Sequence, residues 1–331
     1  MIQKIHILIL IEIIIGMFLH SEVKAQQDAQ FTQFAYTQQY FNPAVVGAKL
    51  ETNFSFTHRN QWLAYQPSFD NGGAPSTQLL IFNTALPKYN SGIGVHIVND
   101  RLGALNNLEV QLSYAYHVKV GEGKKLSFGL RGGMYAVTID GSALRFRQPN
   151  DPYASIAGKE TNLKPDFAAG IYYQTPKFFA GANFNHLNQA GFNFGEGIRG
   201  QTLARSMYIL SGYNWEIEPE KWTLTPIALL KSTNFKVFSV EAGALLTYNK
   251  KFTFGTTYRH EESVNAIVSV ELPRKTSKNI IHNMRIGYAF DYIIGGQSAK
   301  QPTSHEITLS YQMPVKLPLP PSIIRSPRFR Y

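Results

Sequence analysis

The sequence predicts an all-β fold: a transmembrane antiparallel barrel of about fourteen strands, with short periplasmic turns and longer extracellular loops. Three observations carry this. Charged residues make up 16% of the 331 residues and aromatics 13%, fewer charges than a soluble protein shows. Apolar and polar residues alternate with period two along most of the chain. No apolar run after the first 25 residues is long enough for a membrane helix. The 44% hydrophobic content excludes a disordered chain. With no Cys, a disulfide scaffold, a thiol enzyme and a cysteine-anchored lipoprotein are excluded as well.

Residues 1–25 read as a cleaved export signal. Lys4 gives a positive start, residues 5–19 are apolar but for Glu12, and Val23-Lys24-Ala25 offers a cleavage site. Residues 26–48 are expected as a periplasmic N-terminal segment or a partial plug. Phe31, Phe34 and Tyr36, among several Gln, either thread the lumen or lie across its mouth. Asn42-Pro43 starts a turn, because Pro fixes φ and pushes the preceding residue out of the helical region.

Residues 49–313 are assigned to the barrel. In 107–119, Leu108, Val110, Leu112, Tyr114, Tyr116 and Val118 alternate with Asn107, Glu109, Gln111, Ser113, Ala115 and His117. Phe252, Phe254 and Tyr258 likewise oppose Thr253, Gly255, Thr257 and Arg259. Ile307, Leu309 and Tyr311 oppose Glu306, Thr308, Ser310 and Gln312. The predicted strands are 50–59, 76–86, 91–99, 107–119, 125–138, 165–175, 177–185, 205–216, 221–231, 236–248, 251–260, 263–272, 279–292 and 304–313. Every second connection is tight and the longer ones fall between them, as in a barrel with both ends in the periplasm. A soluble β-sandwich also alternates, but its outward face would carry Lys, Glu and Thr, not Tyr, Leu, Val and Phe. The inward positions are often small or neutral, with Gly129, Gly133, Gly170, Gly181, Gly212, Gly255 and Gly287 among them. Only Glu109, Glu241, Arg131 and Arg285 fall as mid-strand charges, so a narrow or plugged lumen is expected.

Residues 314–331 form a Pro-rich basic periplasmic tail that cannot be a strand interior. Sorted by this topology, nearly all of the net charge of +10 lies on the periplasmic side. Such a field favours lipid head groups or an acidic periplasmic protein. Nucleic acid is excluded as a partner by dispersal of the basic residues and by location.

These features resemble the PorP/SprF family of the type IX secretion system. The family's Gln-Asp-Pro-Gln-Phe-Ser-Gln opening stands here as Gln27-Asp28-Ala29-Gln30-Phe31-Thr32-Gln33, followed by Asn42-Pro43-Ala44 and Gly47. Arg59-Asn60-Gln61-Trp62 matches its Arg-x-Gln-Trp. Pro165-Asp166-Phe167 and Ser304-His305-Glu306-Ile307 match further on. Ala29 departs from the family's Pro, and the tail falls outside the pattern. The resemblance implies an outer-membrane protein serving secretion or surface anchoring of cargo with a C-terminal sorting domain, including gliding adhesins. Its implied partners are that cargo and periplasmic or outer-membrane secretion components, besides outer-membrane lipids.

No enzyme, cofactor or metal site is expected. The seven His after residue 25 lack the spacing of a triad or a metal pair. His305 and Glu306, adjacent on a strand, point to opposite faces. The residues expected to meet partners are Phe31, Gln33, Asn42, Pro43, Arg59, Trp62, His305, Lys316, Arg325 and Arg328. The rival function is a diffusion porin or small-molecule channel, since fourteen strands leave room for a lumen.

Overall fold

The computed structural model describes residues 28–63, 73–144, 156, 158–195, 198–275, 281–294 and 303–315. The expected leader and the tail residues Lys316, Arg325 and Arg328 lie outside them.

The chain runs through β1 (Glu51–Asn60), β2 (Ser76–Leu86), β3 (Ser91–Leu102), β4 (Leu105–Gly121), β5 (Lys124–Asp140) and β6 (Lys159–Gln174). It continues through β7 (Phe178–Asn185), the hairpin β8 (Gly191–Phe194) and β9 (Ile198–Thr202), β10 (Ser206–Tyr213) and β11 (Trp215–Glu218). The last strands are β12 (Trp222–Thr233), β13 (Val237–Tyr248), β14 (Phe252–Arg259), β15 (Ser263–Lys275), β16 (Ile281–Ile293) and β17 (Thr303–Pro314). Every pairing is antiparallel. β1 meets β17 from Glu51↔Pro314 to Asn60↔His305, and β10 bridges β7 and β12, so the sheet closes. Ser206↔Thr233 and Trp215↔Leu224 share one register, so β10 and β11 are one strand interrupted at Asn214. The barrel therefore has fourteen staves, as predicted. Among the described residues no helix is long and apolar enough to cross a membrane; strands make the crossing.

The outer wall follows the predicted alternation. Leu112, Leu130, Phe254 and Ile307 are about half exposed or more, on the face turned to lipid. Two expectations are corrected. The loops expected at 139–164 and 186–204 contain regular structure: β5 and β6 run higher than predicted, and β8 and β9 form a hairpin whose Phe192 and Phe194 pack on Tyr135, Val137 and Ile139. Nor are the inward positions mostly small, although Gly129, Gly170, Gly181 and Gly287 do face the interior. Leu79, Ile81, Val98, Leu210, Ile227, Leu229, Leu245 and Ile267 face inward and are buried. The reason lies in residues 28–50.

Those residues run down the inside of the barrel. Phe31, Phe34, Tyr40 and Phe41 join the inward Leu and Ile in one apolar core. Each fully buried Phe gains about 1.5–3 kcal/mol over an exposed one. Asn42 is extended, as a residue before Pro must be, and its side chain accepts the Ala44 N–H at 2.9 Å while Pro43 opens a short 3-10 turn. Its amide donates across to the Ile171 carbonyl of β6 at 2.8 Å. The wall glycines make this close approach possible. A Cβ on Gly129 would lie 2.2 Å from the Ala44 nitrogen, and one on Gly170 would lie 2.4 Å from Asn42 Oδ1. By contrast, a Cβ on Gly73 meets nothing.

Gly129→Val is thus expected to lower the urea midpoint of the barrel in detergent micelles, by at least the roughly 1–3 kcal/mol of an overpacked core. Gly73→Val should leave it unchanged. An equal midpoint for both variants would show that the segment does not seat against β5.

Candidate functional site

What holds the internal segment is a set of wall groups that grip its backbone. Near the loop end of the barrel, Glu306 on β17 accepts two successive amides, Thr32 N–H at 2.8 Å and Gln33 N–H at 2.9 Å. Thr32 Oγ1 donates to Asp291 on β16 at 2.8 Å and accepts from Arg59 Nη1 on β1 at 2.8 Å. Arg59 also bonds Asp291 at 2.7 Å and Glu306 at 3.3 Å. Arg259 on β14 continues the array to Glu241 at 2.9 Å, Glu262 at 3.3 Å and Asp291 at 3.6 Å. Arg59, Asp291, Glu306, Glu241 and Arg259 are all 1% exposed or less.

Half-way down, Arg131 on β5 donates to two successive carbonyls, Gln39 at 2.5 Å and Tyr40 at 2.9 Å. The Arg285 guanidinium lies 4.0 Å from the centre of the Tyr36 ring. At the turn end, Lys125 Nζ reaches the Ala48 carbonyl at 3.0 Å.

At the loop end lies Asp28. Its carboxylate meets His186 Nε2 at 2.8 Å and accepts the Tyr208 hydroxyl. His186 Nδ1 meets Asp166 at 3.0 Å. Burial pushes the Asp28 carboxyl up, but the His186 charge and the bonds from His186 and Tyr208 outweigh it and hold the carboxyl at about 2. Burial pushes the His186 ring down, while Asp28, with bonds to both carboxylates, holds it well above 6.5. With both ring nitrogens engaged by carboxylates, His186 has no nitrogen free to act as a base. His117 meets Ser127 Oγ at 2.7 Å, but Ser127 is wholly buried. Among the described residues no group of three His, Asp or Glu is placed to hold a metal. The two recesses beside Asp28, lined by Lys231 and Tyr208 on one side and by Asp100 and Glu109 on the other, each have room for about one water.

The sequence-selected residues fall into three places. Phe31, Gln33, Asn42, Pro43 and Arg59 are all buried in the lumen, at two levels: Arg59 beside the Phe31–Gln33 stretch near the loop end, Asn42 and Pro43 lower down against β5 and β6. Trp62 lies beyond the end of β1 and donates its N–H to Ser304 Oγ at 3.3 Å. His305 faces outward and meets the Tyr288 hydroxyl at 2.7 Å, on the wall opposite Glu306. The sequence reading missed Asp291, Arg259 and Glu306 as one connected lining, and His186 as the partner of Asp28 and Asp166. Their parity held the signal: Arg259, Asp291 and Glu306 alternate with lipid-facing neighbours.

Removing Arg59 would take away the guanidinium that pairs with Glu306 and leave Asp291 only the longer contact to Arg259. Arg59→Met is expected to destabilise the barrel by about 3–5 kcal/mol in urea unfolding. The Asp28–His186 tether gives a pH window. Asp28 contributes fully above about 3.8 and its share is lost as pH falls towards about 2. His186 contributes fully below 6.5 and its share is lost as pH rises through its raised folded value. Hydrogen exchange at Thr32 and Gln33, corrected for the intrinsic rate, should therefore quicken at both extremes. In His186→Gln the alkaline rise should vanish; its persistence there would assign the rise to another group.

Among solved structures the chain is similar to the monoaromatic hydrocarbon channel CymD, at 13% identity over 84% of this chain and 92% of that one, with a TM-score of 0.46. It is similar to a Pseudomonas aeruginosa FadL homologue at 10% identity, over 83% and 93% of the two chains, with a TM-score of 0.48. The P. putida toluene transporter TodX gives 9% identity, over 82% and 93%, with a TM-score of 0.44. No curated protein matches the chain. The profile of the type IX secretion system membrane protein PorP/SprF matches residues 23–311, nearly the whole barrel and the segment inside it. The chain belongs to the PorP/SprF family of type IX secretion system membrane proteins.

Proposed function

We propose that this protein is a non-enzymatic barrel of the outer membrane that supports secretion or surface anchoring of proteins carrying a C-terminal sorting domain. It does so by binding cargo on its loop face and machinery on its turn face. The observation that carries this reading is the occupied lumen. Phe31, Phe34 and Phe41 fill the bore, and the ionic lining closes round Thr32. A barrel with its bore filled works through its two ends, and the diffusion-channel reading loses its conduit.

The loop end supports a docking role. β4 and β5 have 17 residues each and β6 has 16, against 8 in β7, whose loop-side end at Asn185 is level with the start of β10 at Ser206. The wall thus rises on one side, and the β8–β9 hairpin braces it through Phe192 and Phe194. An ordered apolar-backed ledge presents a partner with a surface already paid for in entropy. Trp62 sits on the same rim and is a proposed contact. Phe31, Gln33, Asn42, Pro43 and Arg59 would reach a partner only by leaving the lumen, so their role here is to hold the segment. At the turn end, basic residues and the tail with Lys316, Arg325 and Arg328 are the proposed contacts for a periplasmic component or lipid head groups. The outward Leu, Phe and Tyr, with His305 among them, meet outer-membrane lipid. Gliding adhesins are one class of cargo within this reading, and a cleaved leader at 1–25 is the proposed route of export.

Purification of the tagged protein from its native outer membrane in mild detergent, followed by mass spectrometry, tests the proposal. A surface protein with a C-terminal sorting domain, or a periplasmic secretion component, is expected to accompany it in stoichiometric amount. A barrel recovered alone after cross-linking in intact cells would contradict it.

A further inference from the structure

We infer that the free edge of β6 over 159–163 is a strand-addition site, and that its occupant is an extended segment of an exported protein. β6 pairs with β5 along its whole length, from Lys125↔Gln174 to Asp140↔Lys159. It pairs with β7 only from Gln174↔Phe179 to Ala169↔Phe184. Above that level the backbone groups of every second residue turn away from β5, because strand hydrogen bonds alternate between the two sides. The odd positions do so here. The Phe167 carbonyl accepts the Leu187 N–H at 3.0 Å, and the Pro165 carbonyl accepts from Asn188 Nδ2 at 2.7 Å. Beyond Pro165, the N–H and C=O groups of Thr161 and Leu163 meet no hydrogen-bond partner among the described residues. The β8–β9 hairpin does not fill the place. It forms a sheet of its own on the inward face of β6, where Asn162 Nδ2 donates to the Asn193 carbonyl and Glu160 accepts the Gly195 N–H at 2.8 Å.

The edge itself specifies what fits. An unpaired backbone group facing hydrocarbon costs several kcal/mol, so this stretch stands on the water side of the loop-side boundary. Its donors and acceptors alternate at strand spacing, which another extended backbone matches and a lipid head group does not. At about 3.4 Å per residue, roughly 17 Å of edge takes a segment of about five residues. On the outward face that segment lies beside Thr161 and Leu163. Leu163 is 56% exposed, and an apolar or β-branched residue opposite it would bury that surface. On the inward face its alternate residues meet Glu160, Asn162 and Lys164, so polar side chains suit that side. A second copy of this chain fits less well. Strands of such barrels tilt by about 35–45°, so two upright copies would cross their β6 strands at roughly 70–90°, too steeply for a ladder. A soluble exported protein is free to align. The inference rests on the cargo-binding reading of the loop face and names the contact within it.

Hydrogen exchange of the purified full chain in micelles reads the edge first. The Thr161 and Leu163 amides should exchange at least about tenfold faster, relative to their intrinsic rates, than those of Asn162 and Lys164, which face β5. Equal protection of all four would overturn the inference and leave the cargo reading standing. Binding is then measured with the purified C-terminal sorting domain of an exported protein from the same cell, against the wild-type chain, Leu163→Pro and Leu163→Ala. Pro removes an N–H that β5 does not use and is tolerated at a strand edge. Heat-modifiable gel mobility establishes that each variant is a folded barrel. Leu163→Pro is expected to bind about tenfold more weakly than Leu163→Ala, the worth of one lost interface hydrogen bond. In the wild-type complex the Thr161 and Leu163 amides should slow. Equal affinity of the two variants, or no slowing of these amides in the complex, would overturn the inference alone. So would a wild-type dimer that Leu163→Pro abolishes, since that gives the edge to a second copy. A sorting domain that binds none of the three chains would contradict the cargo reading and the inference together.

Discussion

Asp291 and Glu306 sit on adjoining strands with no exposed surface. Arg59 bonds both, and Arg259 reaches Asp291 from the other side. An isolated buried carboxylate would cost several kcal/mol, so this lining is tolerable only when complete. Completion needs the internal segment. Thr32 supplies a hydroxyl to Asp291 and accepts from Arg59, and the Thr32 and Gln33 amides take up Glu306. The wall and the segment are thus each unfinished without the other.

Two kinds of interaction divide the task of seating the segment. Apolar burial of Phe31, Phe34, Tyr40 and Phe41 gives most of the net stabilisation. The polar grips add little net energy, because desolvation offsets their attraction. They set register instead. Glu306 reads two amides, Arg131 reads two carbonyls and Lys125 reads a third, so a slip of one residue would break each contact. The wall glycines add a steric fit, since Gly129 and Gly170 leave the room that the Asn42–Ala44 turn occupies.

The sequence disclosed the outside of this barrel better than its inside, for a physical reason. Lipid is a uniform solvent, so every second residue of 107–119 or 252–258 obeys one rule. The interior has no single solvent. Parity did place Arg259, Asp291 and Glu306 inward, yet they stand near strand ends and read as loop charges. Their partners lie far away in sequence: Thr32 and Glu306 are 274 positions apart. No spacing rule pairs such residues. The inward glycines were the legible hint of a filled bore, and the Asn42-Pro43 turn was read correctly because it is local. The direction of the segment depends on Asp28 meeting His186, 158 positions on, and was not legible.

A bore filled by the chain's own segment makes a firm statement about transport. The most direct test is single-channel recording of the purified full-length protein in a planar bilayer at neutral pH. The occupied lumen predicts no steady ohmic conductance above the bare membrane. A stable, voltage-independent open level in the wild-type protein would contradict it and restore the channel reading.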